Sequence, residues 1–360
     1  MKKKIILATP YKGNINGHLS TVNSFKSSLI KLGFEVCELD QPTRYNFSLI
    51  KYLKYIRDIF LLSKKDKDKV FYIFLHRTRV SFYLKDFPMF VSAIFSNSKI
   101  IVHLIGDDFK RFIFRLSKIE RLFIFSIFYK VSTWVVLGKK MKKEISLFLK
   151  NKKLNKKIII NPGLCEYINH KPDNKIKHKE IVVSYMSNLI YEKGIVIFLK
   201  SVIDLVENYN INIKVKIAGT IQKGFKNNLV DSAVREAQTK SYISFVGVIT
   251  GMSKWKFLSS SQIFILPTFY HSESLPLVLI DAMRSGCYCI STPIGEIKYL
   301  LSKNRGALIK NLSEKNLKKK ILEAINNPAL TKKKTLRAQK FIQSNFNQLK
   351  YNHNIIRTLS

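Results

Sequence analysis

The chain has 360 residues, 46% of them hydrophobic and 24% charged, with a formal net charge of +39. That length holds two α/β domains of ordinary size, and that apolar content excludes a disordered chain. Four cysteines, Cys37, Cys165, Cys287 and Cys289, form no Cys-x-x-Cys pair and no ligand spacing with the seven histidines, which excludes a disulfide scaffold and points to reduced thiols in a cytosolic compartment.

Met1-Lys2-Lys3-Lys4 ahead of IILATP has the outline of a signal peptide, but the apolar run is short and passes directly into a glycine-containing loop. Lys4 to Ala8 is therefore read as the first strand and Pro10 to Gly17 (PYKGNING) as its loop. A helix follows from His18 to Leu32, with Val22, Phe25, Leu29 and Leu32 on one face and Gly33 as its stop. Strand, glycine loop and helix can cradle a phosphate, although the spacing matches neither the dinucleotide fingerprint nor a Walker A loop.

Phe34 to Leu39 and Lys69 to Leu75 read as the next strands. Between them Asp66-Lys67-Asp68 has the form of a metal-binding Asp-x-Asp. It lies in the run KKDKDK, where flanking lysines compete with a cation, so a solvated linker and no catalytic metal are expected. His76-Arg77-Thr78-Arg79 ends its strand as either an acceptor-anion site or an exposed basic loop. In Lys99 to Asp108 (KIIVHLIGDD) a strand ends on His103, with Gly106 three residues later, at a position that is either core or ligand-facing.

Asp108 to Lys130 has a helical pattern in which Lys110, Arg111, Arg115, Lys118 and Arg121 alternate with Phe109, Phe112, Ile113, Leu116, Ile119, Leu122 and Phe123. Two readings fit: a sheet-packing helix with a solvated basic side, or a helix at an anionic membrane surface. Ser132 to Leu137 and Lys157 to Ile160 are strands flanking a helix from Lys139 to Leu149. The polar run from Asn169 to Glu180 reads as a linker. No apolar stretch approaches membrane-spanning length.

The second half restarts the alternation at Ile181 to Ile195, where Lys193-Gly194 turns into a helix and adds a full positive charge to the helix end. Strands end at Gly219 and Gly247. The stretch Gln262 to Ser291 then gives an apolar strand (Ile263 to Leu266), a loop closed by Pro267 and Pro276, a helix from about Leu277 to Arg284, a stop at Gly286 and another strand. Glu273 lies in the loop and Asp281 on the helix, with seven residues between them. A loop carboxylate beside a helix N-terminus suits a sugar joined to a diphosphate, since the carboxylate accepts from hydroxyls and the first-turn N–H groups face phosphate.

The segment E-S-L-P-L-V-L-I-D-A-M-R-S-G resembles the Glu-x7-Glu element of glycosyltransferase family 4, with Asp281 in place of the second Glu. Other elements follow in family order: Asn16-Gly17 for the Gly-Gly pair that meets the donor diphosphate, an Asn161-Pro162-Gly163 turn, Lys193-Gly194 with Ser187 where the family has Arg, the Ala-Gly ending at Gly219, the Phe-x-Gly ending at Gly247, and Thr292 to Glu296 for the end of the sugar pocket. The resemblance implies a GT-B fold, two facing Rossmann-like α/β domains with an inter-domain cleft. These are an acceptor-binding domain over 1–165, a linker over 166–180 and a nucleotide-sugar domain over 181–345, with a last helix, 346–360, returning to the first domain.

The implied reaction is transfer of a sugar from a nucleotide diphosphate sugar, UDP-sugar favoured, to a hydroxyl of a glycan or lipid-linked acceptor with retained configuration. No cofactor or metal takes part, and the setting is O-antigen, lipopolysaccharide or capsule synthesis at the inner face of the membrane. On the same implication His103 orients the sugar or assists the acceptor proton, Glu273 holds sugar hydroxyls, Asp281 meets the ribose, Ser274 and Leu275 offer backbone N–H groups, Lys193 meets the diphosphate, and Val248 and Ile249 hold the base. Two alternatives stand beside it: a sugar-nucleotide epimerase or phosphorylase on the same architecture, and a basic nucleic-acid-binding protein, suggested by charge alone and lacking a recognition helix or stacking platform.

Overall fold

The computed structural model describes residues 3–10, 17–42, 47–62, 69–151, 156–162, 180–222 and 227–360. The residues of the first loop up to Asn16, the Asp66-Lys67-Asp68 run, Gly163, Cys165 and the linker up to residue 179 lie outside the described residues. The chain divides into two compact units, Met1–Glu166 with Gln348–Ser360, and Tyr167–Asn347.

The first unit runs β1 (Lys4–Pro10), α1 (Gly17–Lys31), β2 (Glu35–Gln41), α2 (Leu49–Leu61), β3 (Lys69–Phe74) and α3 (Arg79–Ser81), which continues through a π-helical turn (Phe82–Asp86) into α4 (Phe87–Phe95). It goes on with β4 (Lys99–Leu104), α5 (Phe109–Phe114), α6 (Lys118–Tyr129), β5 (Thr133–Val136), α7 (Lys139–Asn151) and β6 (Lys157–Ile160). The sheet order is β2-β1-β3-β4-β5-β6 and every pairing is parallel. Strands covered on both faces need apolar residues at successive positions rather than at alternate ones. The run KVFYIF of β3 and TWVV of β5 are buried throughout.

The second unit runs β7 (Ile181–Met186), a 3-10 turn (Tyr191–Lys193), α8 (Ile195–Glu207), β8 (Ile213–Ala218), α9 (Asn227–Gln238), β9 (Ile243–Phe245) and α10 (Gly251–Ser259). It continues with β10 (Ile263–Leu266), α11 (Leu277–Arg284), β11 (Tyr288–Ser291), α12 (Ile297–Leu301), β12 (Ala307–Leu308), α13 (Glu314–Asn326) and α14 (Pro328–Asn345). Its sheet is also parallel, in the order β12-β11-β10-β7-β8-β9. The closing helix α15 (Gln348–Leu359) belongs to the first unit. There Tyr351, Ile355 and Leu359 share a core with Val22, Phe25 and Leu29 of α1 and with Ile5, Leu7, Tyr72 and Ile101 of the sheet.

The continuous helix expected over 108–130 is instead two, broken between Phe114 and Lys118. The cause is a capping box: Ser117 accepts from the Glu120 N–H at 3.2 Å and the Glu120 carboxylate accepts from the Ser117 N–H at 2.9 Å, so a new helix starts there. The apolar residues divide accordingly. Phe109, Phe112, Ile113 and Leu116 are buried, whereas Phe114, Ile119 and Leu122 are exposed.

Candidate functional site

At the carboxyl edge of the second sheet, the turn after β7 is pressed against the end of β10. The Phe269 N–H donates to the Glu192 carbonyl at 2.8 Å, and Gly194, at φ +78°, packs so closely on Pro267 that a Cβ would overlap the Pro267 carbonyl oxygen. Glycine alone combines that backbone conformation with that proximity. The contact carries Lys193 to Glu273, whose Nζ and Oε2 are 2.5 Å apart. Thr268 Oγ1 donates to the same carboxylate oxygen at 3.2 Å, and the Lys193 ammonium lies 5.1 Å from the Tyr270 ring centroid. Both charges are largely withdrawn from solvent, with side-chain exposures of 17% and 9%.

The loop bearing Glu273 is fixed from the other side. Gly295, at φ +52°, leaves no room for a Cβ against the Glu273 and Ser274 carbonyls, and the Glu296 N–H donates to the Ser274 carbonyl at 2.7 Å. Ser274 and Leu275 are buried and lead into α11 through the N-cap Pro276, which makes no side-chain cap. The helix N-terminus therefore presents its positive end beside the Lys193–Glu273 pair, and α8, capped by Gly194 without a side-chain bond, begins directly after Lys193.

Asp281 lies further along α11, nearly buried, and pairs with Lys254 of α10 at 3.0 Å. Ser187 follows the carboxyl end of β7. Gly219 packs on the Ser187 backbone and donates to the Gly247 carbonyl at 2.8 Å. Tyr185 ties Ser187 to the main pair: its hydroxyl donates to the Lys193 carbonyl at 3.3 Å and bonds the Ser187 side chain, and burial, with Glu273 nearby, pushes its pKa far above the usual phenol range. Val248 is exposed and Ile249 half-buried beyond the end of β9.

The two remaining expected residues lie in the first unit. Gly17 is the first residue of α1. His103 does not end its strand at the surface; it is the penultimate residue of β4 and 1% exposed. Its Nδ1 is 2.9 Å from the Tyr72 hydroxyl and its ring is stacked on Phe74 at 5.0 Å. The residues after β4 that reach polar partners are Asp107, paired with Lys140, and Asp108, paired with Arg77.

Sequence reasoning missed Lys254, Thr268, Tyr270 and Tyr185. Thr268 and Tyr270 sit in the loop between Pro267 and Glu273 and were legible as neighbours of the motif. Lys254 is one lysine of many in the chain, with no local signal. Among the described residues no group of His, Cys, Asp or Glu is arranged to hold a metal ion.

Residues 166–341 match the family model described as glycosyl transferases group 1. The chain is 22% identical over 142 residues to the uncharacterized glycosyltransferase MJ1607 of Methanocaldococcus jannaschii, covering 39% of this chain and 35% of that one. It is 25% identical over 184 residues to MJ1178 of the same organism, covering 47% and 50%. The matches thus span at most half the length of these curated relatives. Among solved structures, the Anabaena protein HepE in complex with UDP and glucose has a TM-score of 0.73 at 14% identity, over 99% of each chain. The two parallel sheets are those of the GT-B fold, and Lys193, Glu273 and Asp281 all lie within the stretch that is similar to glycosyl transferases group 1.

Proposed function

We propose that the chain is a retaining glycosyltransferase that moves a hexose from a UDP-sugar to a hydroxyl of a glycan or lipid-linked acceptor in cell-surface polysaccharide synthesis. The observation that carries this reading is the Lys193–Glu273 pair, fixed between the N-termini of α8 and α11. In the transition state negative charge grows on the departing diphosphate, and a cation with two uncapped helix ends beside it is a preorganised acceptor for that charge. Phosphate oxygens compete with Glu273 for the ammonium. As the diphosphate takes Lys193, the carboxylate turns to sugar hydroxyls, with Ser274 and Leu275 offering backbone N–H groups.

Asp281 is assigned to the ribose, sharing the task with Lys254, and the edge formed by Ser187, Gly219, Val248 and Ile249 to the base and phosphates. A uracil base is favoured because the HepE structure holds UDP. No metal is needed in this scheme, since Lys193 and the helix ends supply the positive charge, and chelation with EDTA should leave transfer unchanged.

The acceptor reading draws support from the helical layer of α2, α4 and α6, linked by a Ser92 to Ile59 hydrogen bond and a Phe87–Phe123 ring contact. It exposes Leu49, Ile50, Leu53 and Phe60 on α2 and Ile119 and Leu122 on α6, among exposed Lys51, Lys54, Arg57, Lys110, Arg111 and Lys118. An apolar and basic surface of that kind fits an anionic bilayer carrying a lipid-linked acceptor, with the enzyme peripheral on the cytoplasmic face. No helix among the described residues is long and apolar enough to cross a membrane.

The test is a thermal-shift screen of nucleotide sugars followed by an acceptor-dependent release assay, since a ligand that binds only the folded state raises its melting point. UDP-sugars should stabilise the wild type and not Lys193→Ala, and UDP release should require an acceptor. Equal stabilisation of both proteins sinks the site, and donor turnover without an alcohol acceptor favours the epimerase or phosphorylase alternative.

A further inference from the structure

Thr268 joins the Glu273 carboxylate to the backbone that carries it, and the transfer scheme gives it no task. It lies two residues beyond the end of β10 and is fully buried. Its carbonyl is fixed by the Thr292 hydroxyl, just past β11, which donates to it. The Thr268 hydroxyl makes three contacts. It accepts from the Tyr270 N–H at 3.2 Å, donates to Glu273 Oε2 at 3.2 Å and lies 3.4 Å from the Glu192 carbonyl. The Glu273 N–H donates to the Tyr270 carbonyl at 3.0 Å, so residues Tyr270 to Glu273 form a closed turn. One hydroxyl therefore grips both ends of that turn.

The same turn carries both groups that meet the Lys193 ammonium, the Tyr270 ring with its centroid 5.1 Å away and the Glu273 carboxylate at 2.5 Å. A hydroxyl has one proton to give, and here two acceptors lie within its reach. The charged carboxylate is the stronger of them, and the Glu192 carbonyl already accepts from the Phe269 N–H at 2.8 Å. Thr268 accordingly donates to Glu273. Lys193 and Thr268 meet the same oxygen, Oε2, and neither contact uses Oε1. Once a diphosphate draws the ammonium away, the Thr268 hydrogen bond stays on the carboxylate. Oε2 then serves as a pivot and Oε1 is offered to a sugar hydroxyl.

We propose that Thr268 is a positioning residue of the donor site. Its hydroxyl keeps Glu273 Oε2 tied to the protein while Lys193 turns to the diphosphate, so that Oε1 accepts from a hydroxyl of the donor hexose. This assignment rests on the transferase reading above and deepens it. Thr268 acts through Glu273 and touches neither sugar nor phosphate. Its effect falls on the sugar half of the donor, because the phosphate half is met by Lys193 and the two helix ends, and none of the three hydroxyl contacts goes to Lys193.

The test compares wild type, Thr268→Ser and Thr268→Ala as full chains, measuring affinity for UDP and for the UDP-sugar that most stabilises the wild type. Both variants lose the buried methyl group, so its packing cost is common to them and the hydroxyl is the difference. Thr268→Ala should weaken UDP-sugar binding relative to UDP by about tenfold, the share of a hydrogen bond to a charged group, and lower transfer kcat/KM by at least as much. Thr268→Ser should keep the wild-type ratio. If Thr268→Ala does not fold, Thr268→Val, which fills the site without a hydroxyl, takes its place in the comparison. A hydroxyl-free variant with the wild-type ratio overturns the proposal. So does an equal loss of UDP and UDP-sugar binding, which would make Thr268 a brace for the turn only, and so does a serine variant that behaves as alanine does. In each of those cases the wild type still binds its donor and the transferase reading stands. If neither UDP nor any UDP-sugar stabilises the wild type, that reading itself fails and this assignment falls with it.

Discussion

Lys193 Nζ and Glu273 Oε2 stand 2.5 Å apart although 80 positions separate the two residues. Nothing local brings them together; the parallel pairing of β7 with β10 does, by setting the turns after both strands at one edge. Truncating either side chain leaves the other charge, largely withdrawn from solvent, without its principal partner. Lys193→Ala should therefore destabilise the fold by about 1–3 kcal/mol, the cost of stranding a buried polar group. It should lower transfer by roughly 100-fold or more, as loss of one preorganised donor does. Glu273→Gln keeps volume and the Thr268 contact and should melt closer to wild type while also losing transfer. Denaturant unfolding with single-turnover assays separates the two effects, and a fully active Lys193→Ala protein would remove the site.

Gly194 and Gly295 are the two backbone positions on which that geometry depends. Each has a positive φ, and each faces a carbonyl oxygen that a Cβ would overlap. For Gly194→Ala the left-handed conformation alone costs about 1–2 kcal/mol, and the steric overlap with Pro267 adds to it. The expected outcome is a lower melting temperature together with loss of UDP stabilisation, because the turn holding Lys193 must lift away from β10. Gly33, at φ +82° with nothing near its Cβ position, supplies the control: Gly33→Ala should cost only the backbone term and leave UDP stabilisation unchanged.

Much of this was legible in the chain. Apolar runs such as KVFYIF and IFIL, each followed by a loop and an amphipathic segment, specify a parallel α/β sheet because strands covered on both sides have no polar face to alternate. The Glu273 loop and the Lys193-Gly194 turn stood out by their neighbours in sequence. Lys254 did not, because its partner Asp281 is reached through packing of α10 on α11, and pairing across two helices leaves no periodic mark. His103 is a related case. A strand-end histidine has the same sequence whether its ring meets solvent or Phe74, and only the length of β4, which runs through Leu104, decides between them. The helix break at Ser117 was the reverse case, since Ser-x-x-Glu announces a capping box that the apolar periodicity on either side obscured.

The exposed apolar residues of α6 give the membrane reading a direct test. Ile119 and Leu122 are 81% and 71% exposed beside Lys118. Wild-type protein should co-sediment with phosphatidylglycerol vesicles, weaken with salt and bind neutral phosphatidylcholine poorly. An inserted aliphatic side chain contributes about 1.5–3 kcal/mol, so Ile119→Glu with Leu122→Glu should reduce binding tenfold or more. The melting temperature should stay the same, since neither side chain is in the core. Equal binding to anionic and neutral vesicles would end the reading.

The boundary between α5 and α6 also predicts a pH signature. Glu120 is held down to about 2, first by its hydrogen bond from Arg79 and then by the Ser117 backbone and side chain, against an ordinary value of 4.5. A carboxylate whose folded pKa is depressed lends stability above its unfolded pKa and withdraws it as pH falls toward the folded one. The contribution of Glu120 is therefore complete above about pH 4.5 and disappears between about 4.5 and 2. Glu120→Gln should melt below wild type at neutral pH, and the gap should close across that window. Asp204 and Glu207 are also depressed, by Lys318 and Lys240, but they are common to both proteins and cancel in the difference. Because the Arg79 pair is exposed, the gap should shrink at high salt even at pH 7. A gap that stayed constant from pH 7 to pH 2 would show that Glu120 acts through helix geometry alone, without its charge.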